Sequence, residues 1–199
     1  MPPASQVAPL ISNVGSTMFC TDETLKCTGC SQVFAFPLGD HCVYSTGDLD
    51  LSHKNLAESP AFHPVLRRRA WCVKCDSPVL VERLPSTVEF MNAAALARSS
   101  STSKPCIDDE LIWLPLEEQQ FLFGRLSTRT SNARCLQCGS TEWFGIEVID
   151  GKLQPPLLHQ NCNSPLEWRG IIASVVRRAG TVKVRAYSFN GELLAEGVL

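Results

Sequence analysis

The sequence predicts a small α+β fold: two cysteine-rich antiparallel β modules joined by a helical segment and followed by a C-terminal β-hairpin. Three observations predict it. Paired cysteines recur along a chain of 199 residues that contains ten cysteines. A stretch rich in Ala and Leu separates the pairs, and an alternating tail with Asn190-Gly191 follows them. The predicted division is 19–85 for the first module, 86–133 for the helical connector and 134–199 for the second module with the hairpin.

Composition favours an intracellular protein with reduced thiols. The first residues, MPPASQVAPLISNVGSTMF, contain neither the basic segment nor the apolar run of a secretory signal. No stretch approaches the ~20 apolar residues needed to span a bilayer. We therefore expect a cytoplasmic protein without membrane association, in which paired cysteines bind metal more often than they form disulfides.

The first module contains two Cys-x-x-Cys pairs, Cys27 with Cys30 and Cys72 with Cys75. Short strand-like runs follow them at 32–36 and 78–83. The pairs are separated by 41 residues, which is long for a simple hairpin. We expect the excess to lie between Cys42 and Trp71.

The middle of the chain predicts two helices. Ser86 or Thr87 can cap a helix that runs to about Arg98 and is rich in Ala and Leu. Pro115 can open a second helix to about Ser127, because proline is tolerated at the first helical position. The segment SSSTSKP at 99–105 is typical of a linker.

The second module contains Cys135 with Cys138, then His159 with Cys162 after twenty intervening residues. The intervening segment predicts a hairpin with an aromatic first strand and a turn at Asp150-Gly151. The tail alternates in TVKVRAYSF, and Asn190-Gly191 predicts a type I′ turn there. This last hairpin either extends the sheet of the second module or returns to pair with the first.

An internal repeat relates the two modules. KCTGC at 26–30 is similar to RCLQC at 134–138. The closing halves are more alike, because WCVKCDSPV at 71–79 matches LHQNCNSPL at 158–166 with Ser-Pro at the same offset. Such a repeat implies repeated supersecondary units.

These motifs predict two structural zinc ions. Two Cys-x-x-Cys turns can complete a tetrahedron of thiolates, a geometry that Zn²⁺ accepts, and a histidine can replace one cysteine. The predicted ligand sets are Cys27, Cys30, Cys72 and Cys75 for one ion, and Cys135, Cys138, His159 and Cys162 for the other. A redox-active pair would favour a helix N-terminus in a βαβ unit, a pattern that the sequence lacks. Cys20, Cys42 and Cys106 are expected to be buried or incidental thiols.

In these turns and in the hairpin between them, residues 26–83 and 134–169 resemble zinc-ribbon proteins. The resemblance implies bound zinc and small antiparallel ribbons. It is specific for the metal and does not select a function.

Three classes of function follow from this layout. Catalysis is disfavoured, because four protein ligands leave a metal no open position and the acidic run at 108–110 is more typical of a solvated turn. Nucleic-acid binding is the alternative, for which basic residues beside Trp71 and near the tail are candidate contacts. These are Arg67, Arg68, Arg69, Arg177 and Arg178.

A module that binds another protein is the function that the sequence favours. The net charge of −2 would become about −5 with seven thiolates and two zinc ions, which argues against a phosphate backbone as partner. Such a module would be an adaptor or an immunity protein that binds a toxin. Candidate contacts are aromatic residues whose alternative place is the core, namely Trp113, Trp143, Phe144 and Trp168.

Overall fold

The structure is a computed structural model that describes residues 20–36, 41–47, 61–98, 110–174 and 183–198. Several predicted features lie outside these residues or have undescribed side chains. They are the arm 1–18, the linker 99–105, Cys106, Asp108, Asp109, Arg177, Arg178 and the side chain of Cys20.

The described residues form a mixed α+β fold, mostly strands with two α-helices, as the sequence predicts. In chain order the elements are β1 (Cys20–Cys27), β2 (Val33–Ala35), β3 (His41–Ser45), β4 (Phe62–Pro64), β5 (Arg67–Cys72), β6 (Ser77–Glu82), α1 (Thr87–Arg98), a 3₁₀ turn (Glu110–Trp113), α2 (Leu116–Leu126), β7 (Trp143–Gly145), β8 (Glu147–Ile149), β9 (Lys152–Gln154), β10 (Leu158–His159), β11 (Ser164–Ser174), β12 (Lys183–Tyr187) and β13 (Leu193–Val198).

Both predicted helices are present with the expected bounds. Helix α1 begins with a capping box: the backbone N–H of Glu89 donates to Ser86 Oγ over 3.3 Å, and the backbone N–H of Ser86 donates to Glu89 Oε2 over 2.7 Å. Arg83 also donates to Glu89, at 2.8 Å. Helix α2 begins after Pro115, which makes no side-chain cap.

Antiparallel pairing joins distant parts of the chain. One sheet has the order β10-β11-β1-β2, so the first described strand lies beside the long strand β11. A second sheet has the order β6-β5-β7, and β8 pairs with β9. The third sheet, β13-β12-β3-β4, contains one parallel pair, β12 with β3. The C-terminal hairpin therefore pairs with a strand of the segment 19–85, the second of the two predicted arrangements.

The two predicted hairpin turns differ from one another. Asp150 and Gly151 have φ angles of 51° and 73°, the positive pair that a two-residue type I′ turn requires. The type I′ prediction at Asn190-Gly191 was wrong. Gly191 takes a φ of 79° and donates its N–H to the carbonyl of Ser188 at 2.8 Å, which closes a three-residue loop instead.

Among the described residues, three groups of buried side chains hold the sheets and helices together. The largest packs α1, α2 and the third sheet around Tyr44, Leu66, Phe90, Leu122 and Tyr187. A second joins the first sheet to the β8–β9 hairpin, and includes Leu25, Phe34, Trp71, Ile146 and Leu166. The third is small, and consists of Ala70, Cys72, Val79, Val81 and Cys135. Two of these groups therefore lie against cysteines of the predicted metal sites.

A buried ion pair connects β6 to the loop after α2. Arg129 donates two hydrogen bonds to the carboxylate of Glu82, at 2.9 and 2.7 Å, and both side chains are almost fully buried. Tyr44 and the backbone N–H of Arg134 donate to the same carboxylate. The charge of Glu82 is therefore matched and solvated by protein donors, as a buried charge requires.

Candidate metal centres

The structure gathers all eight predicted ligands into two clusters, but it exchanges their partners. The outer centre contains Cys27, Cys30, His159 and Cys162, and the inner centre contains Cys72, Cys75, Cys135 and Cys138. The predicted pairing of Cys27 and Cys30 with Cys72 and Cys75 was therefore wrong, as was that of Cys135 and Cys138 with His159 and Cys162. Each centre still combines one opening turn (27–30 or 135–138) with one closing turn (72–75 or 159–162).

Strand pairing explains the outer centre. Strands β1 and β11 run antiparallel with Cys27 opposite Leu166, so the end of β1 lies beside the start of β11. The turns 27–30 and 159–162 consequently project from the same end of the sheet. The N–H of Thr28 donates to the carbonyl of Pro165 at 3.0 Å, and a Cβ at Gly29 would overlap the side chain of Ser164. The glycine of the first opening turn thus permits close contact with this closing turn.

Strand pairing also explains the inner centre. Strand β5 ends at Cys72, opposite Trp143 of β7, and Cys135 forms a bridge with Val81 of β6. The carbonyl of Leu80 accepts the N–H of Leu136 at 3.0 Å. The turn 135–138 is thereby held against the β5–β6 hairpin that carries Cys72 and Cys75.

The ligand atoms of each cluster lie within 4.8 Å of one another. In the inner centre the sulfur–sulfur distances are 3.6 Å for Cys72–Cys138 and 3.9 Å for Cys75–Cys135. A tetrahedron with zinc–sulfur bonds of ~2.3 Å has edges of about 3.8 Å. The inner distances therefore fit one tetrahedral ion.

The outer centre is slightly tighter and includes the imidazole of His159. Its Nδ1 lies 3.3 Å from Cys30 Sγ and 3.2 Å from Cys162 Sγ, and Cys27 Sγ lies 3.2 Å from Cys162 Sγ. These sulfurs are much farther apart than the ~2.05 Å of a disulfide. None of the cysteine side chains in the described part of the chain forms a disulfide.

All four turns share one backbone geometry. The residue after the second ligand has a positive φ in each, a conformation that Gly, Asn and Asp adopt most readily. These residues are Ser31 at 61°, Asp76 at 45°, Gly139 at 72° and Asn163 at 51°. The repeat seen in the sequence therefore extends to the backbone, with His159 in the place of a first cysteine.

The electrostatics of the clusters differ from thiol to thiol. Hydrogen bonds from Cys27 and Ser164 lower the pKa of Cys162 to about 6, against the effect of desolvation. Burial raises the pKa of Cys75, and raises that of Cys135 to about 11. The pKa of Cys138 is lowered despite burial, with the backbone N–H of Ser140 as the leading favourable cause. Several thiolates this close repel one another, and a bound cation would relieve that repulsion.

The chemistry of the donor set suits a soft or borderline metal ion. Thiolate sulfur and imidazole nitrogen are the ligands of zinc and of related transition metals, whereas calcium and magnesium take oxygen. Each of the two clusters of four such ligands could hold a metal ion, which suggests a metal-binding protein.

The three candidate arginines of β5 all make contacts within the protein. Arg67 donates to Glu110 at 2.8 Å, Arg68 lies 4.4 Å from the ring centre of Trp143, and Arg69 lies 5.8 Å from that of Phe36. The first contact is an ion pair and the others are cation–π contacts. Part of the basic surface proposed for nucleic acid is thus engaged by the protein itself.

The four candidate aromatic residues divide into two kinds. Trp113 and Phe144 are 48% and 52% exposed, whereas Trp143 and Trp168 are half-buried. The indole N–H of Trp143 donates to the carbonyl of Ala133 at 3.0 Å. Only the first two therefore present large apolar surfaces to a partner.

Comparison with protein-family models, with curated proteins and with solved structures found no match to this chain. Within the described part of the chain, no helix combines the length and the apolar composition that a bilayer crossing requires.

Proposed function

We propose that the chain binds two structural Zn²⁺ ions and, held by them, acts as a non-catalytic module that binds another protein. The observation that carries the metal proposal is the pair of closed ligand sets, Cys₃His in the outer centre and Cys₄ in the inner. Both sets are typical of structural zinc, which is four-coordinate and tetrahedral.

The ligand count argues against catalysis at either centre. A catalytic zinc keeps one position for water or substrate and takes three ligands from the protein. Here each set supplies four, so a bound ion would have no position left. The function then rests on the surface that the zinc sites stabilise.

Helix α1 offers the surface that best suits a protein partner. Phe90 and Ala93 are buried against the core, whereas Val88 and Met91, three residues apart, are 64% and 66% exposed. Glu89 is already paired with Arg83, so the outer face is dominated by apolar groups. An apolar helix face docks into a hydrophobic groove, and methionine adapts to such surfaces. We propose a protein with such a groove as the partner.

The experiment begins with metal analysis of the purified protein, where two zinc ions per chain are expected and fewer than one would overturn the proposal. Binding to candidate partners, starting with the product of the neighbouring gene, is then compared for a Val88→Glu/Met91→Glu variant. Leu193→Glu on β13 is the matched control, since Leu193 is also exposed, at 54%. Loss of binding in the α1 variant alone supports the proposal, and equal binding of both variants contradicts the role of α1.

Nucleic acid is tested as the alternative partner. Mixed DNA and RNA should give no fluorescence-anisotropy shift at about 50 mM salt, where electrostatic binding is strong. A shift that falls steeply with salt would favour the nucleic-acid reading instead. A neighbouring gene that encodes a secreted toxin, bound by this protein, would define the module as an immunity protein.

A further inference from the structure

The closing turns of the two centres contact one another. Asn161 lies between the ligands His159 and Cys162 of the outer centre, and Asp76 directly follows the ligand Cys75 of the inner centre. Asn161 Nδ2 donates to Asp76 Oδ2 over 3.2 Å. A carboxylate from the inner turn therefore lies within the surroundings of the outer centre.

The orientation of His159 determines what this carboxylate can do. Nδ1 faces the sulfurs of Cys30 and Cys162, so Nδ1 is the nitrogen that would ligate a metal. A neutral imidazole that ligates through Nδ1 carries its proton on Nε2, which becomes a hydrogen-bond donor. His159 is only 1% exposed, so this donor needs a partner inside the protein.

Asp76 contacts the turn of His159 through Asn161 and has a second carboxylate oxygen without a partner among the described residues. Nε2 of His159 lies 3.5 Å from Asn161 Nδ2, and two donors cannot bond to each other. Asn161 Nδ2 occupies Oδ2 of Asp76, whereas the second oxygen, Oδ1, is buried and has no hydrogen-bond partner among the described residues. Metal-ligating histidines commonly donate their second N–H to a carboxylate, directly or through water.

We propose that Asp76 is a positioning residue for the outer centre: its Oδ1 accepts the Nε2 proton of His159 through one bound water. Asn161 holds the carboxylate in place through Oδ2. This inference rests on the proposed binding of zinc. It assigns to a residue of the inner turn the task of fixing the tautomer and orientation of a ligand in the outer centre.

The position of Asp76 makes the two centres interdependent. Asp76 takes a φ of 45° and donates its N–H to the carbonyl of Val73, so its place depends on the inner turn being formed. Phe34 adds a second link, because its ring makes edge contacts of 5.2 Å with both Trp71 and His159. A metal ion in the inner centre would therefore raise the affinity of the outer centre, and the reverse follows by linkage.

The test is a Co²⁺ titration of the full chain, because the visible bands of Co²⁺ distinguish four sulfurs from three sulfurs and one nitrogen. Asp76→Gly removes the carboxylate and keeps a residue that tolerates positive φ. We expect its outer-centre affinity to fall by roughly 10- to 100-fold while the inner centre changes by less than about threefold. Asp76→Asn keeps an acceptor without the charge and should give an intermediate loss.

Asp150→Gly is the matched control, since Asp150 is also an aspartate with positive φ, at 51°, in the β8–β9 turn. It should leave both centres unchanged. A second readout is the Hε2 proton of His159 by NMR in the zinc-loaded protein. The proton should exchange slowly in the wild type and in Asp150→Gly, and quickly in Asp76→Gly.

The possible outcomes distinguish the positioning role of Asp76 from the zinc-binding proposal on which it rests. An unchanged outer centre in Asp76→Gly, or an equal loss at both centres, overturns the positioning role and leaves zinc binding intact. A wild-type chain that takes up no Co²⁺ or Zn²⁺ overturns zinc binding itself, and with it the role of Asp76.

Discussion

The two candidate metal centres use the same turn in different surroundings. In both, the first ligand of each turn is buried and the second is more exposed. In the inner centre the second ligands, Cys75 and Cys138, are half-buried, whereas in the outer centre Cys30 and Cys162 are exposed. The inner centre also lies against Ala70, Val79 and Val81. The same local motif therefore belongs to the core in the inner centre and lies near the surface in the outer centre.

The span of chain that each centre closes differs as well. In the inner centre, Cys72 and Cys138 are 66 positions apart, whereas Cys30 and His159 of the outer centre are 129 apart. Everything between the inner ligands, including both helices, also lies between the outer ones. We therefore expect the inner centre to be needed for the fold and the outer centre to join two strands of a body that is already formed.

Removal of one ligand from each centre should give the largest difference. Structural zinc contributes on the order of 10 kcal/mol to folding. Cys138→Ser should therefore abolish the cooperative thermal transition seen by circular dichroism. Cys162→Ser should retain a cooperative transition at lower temperature and one zinc ion per chain. A larger loss of stability in Cys162→Ser than in Cys138→Ser would contradict the distinction between a core centre and a surface centre.

The buried ion pair behind the inner centre gives the next largest effect. Glu82 accepts the N–H of Arg134, the residue before Cys135. Glu82→Gln would leave Arg129 buried without its charge partner, at a cost of about 3–5 kcal/mol in urea unfolding.

The control for Glu82→Gln lies beside the outer centre. Glu167→Gln removes an ion pair with Arg169 in which both side chains are about half exposed. Its effect on the free energy of unfolding should stay within about 0.5 kcal/mol. Similar losses in the two variants would show that the ion pair behind the inner centre has no special role.

The next largest difference between the two centres should be in the reactivity of their thiols. Exposed cysteines react before buried ones, so N-ethylmaleimide should label Cys30 and Cys162 about tenfold faster than Cys75 and Cys138, as followed by mass spectrometry. Simultaneous labelling of all four would mean that both centres open together.

The smallest expected effect is at the start of α1, away from both centres. Hydrogen bonds from Arg83, then from Ser86, lower the pKa of Glu89 to about 2, from the usual 4.5 of a glutamate. Its stabilising contribution is therefore fully present above about pH 4.5 and is lost as the pH falls from 4.5 towards 2.

Glu89→Gln tests this contribution. The variant should lower stability by less than about 1 kcal/mol near pH 7, because Glu89 is largely exposed. The difference from wild type should vanish towards pH 2, and the zinc content at neutral pH should not change. A loss of zinc in this variant would contradict the separation of α1 from the centres.

Local features of this chain could be read from its sequence because local chemistry determines them. The helix after Ser86 follows from its capping box, and the turn at Asp150-Gly151 follows from the tolerance of these residues for positive φ. The eight candidate ligands could be predicted for the same reason, since each pair is set by the short spacing within its own turn. The Ser-Pro that follows each closing turn marks the start of β6 and of β11.

The pairing of those turns could not be read, because the repeat makes the opening turns interchangeable. The prediction joined each opening turn to the nearest closing turn along the chain. The structure joins them through strand pairing, β1 with β11 and β5 with β7, which sequence distance does not reveal. The one local signal was Gly29, whose missing Cβ leaves room for Ser164, whereas Gln137 stands at the corresponding place in the other opening turn. The contact of Asp76 with Asn161 depends on the same nested pairing, and was missed for that reason.

Because the ligands of the inner centre lie between those of the outer centre along the chain, the two ligand sets are completed at different times during synthesis on the ribosome. The four inner ligands are all present once residue 138 has emerged, whereas the outer set is incomplete until residue 162. Cys27 and Cys30 have no closing turn of their own until residue 162 has emerged, and the closing turn that emerges first, 72–75, belongs to the inner centre. Binding of the turn 72–75 to the turn 135–138 would keep the first pair of thiols available for the turn 159–162.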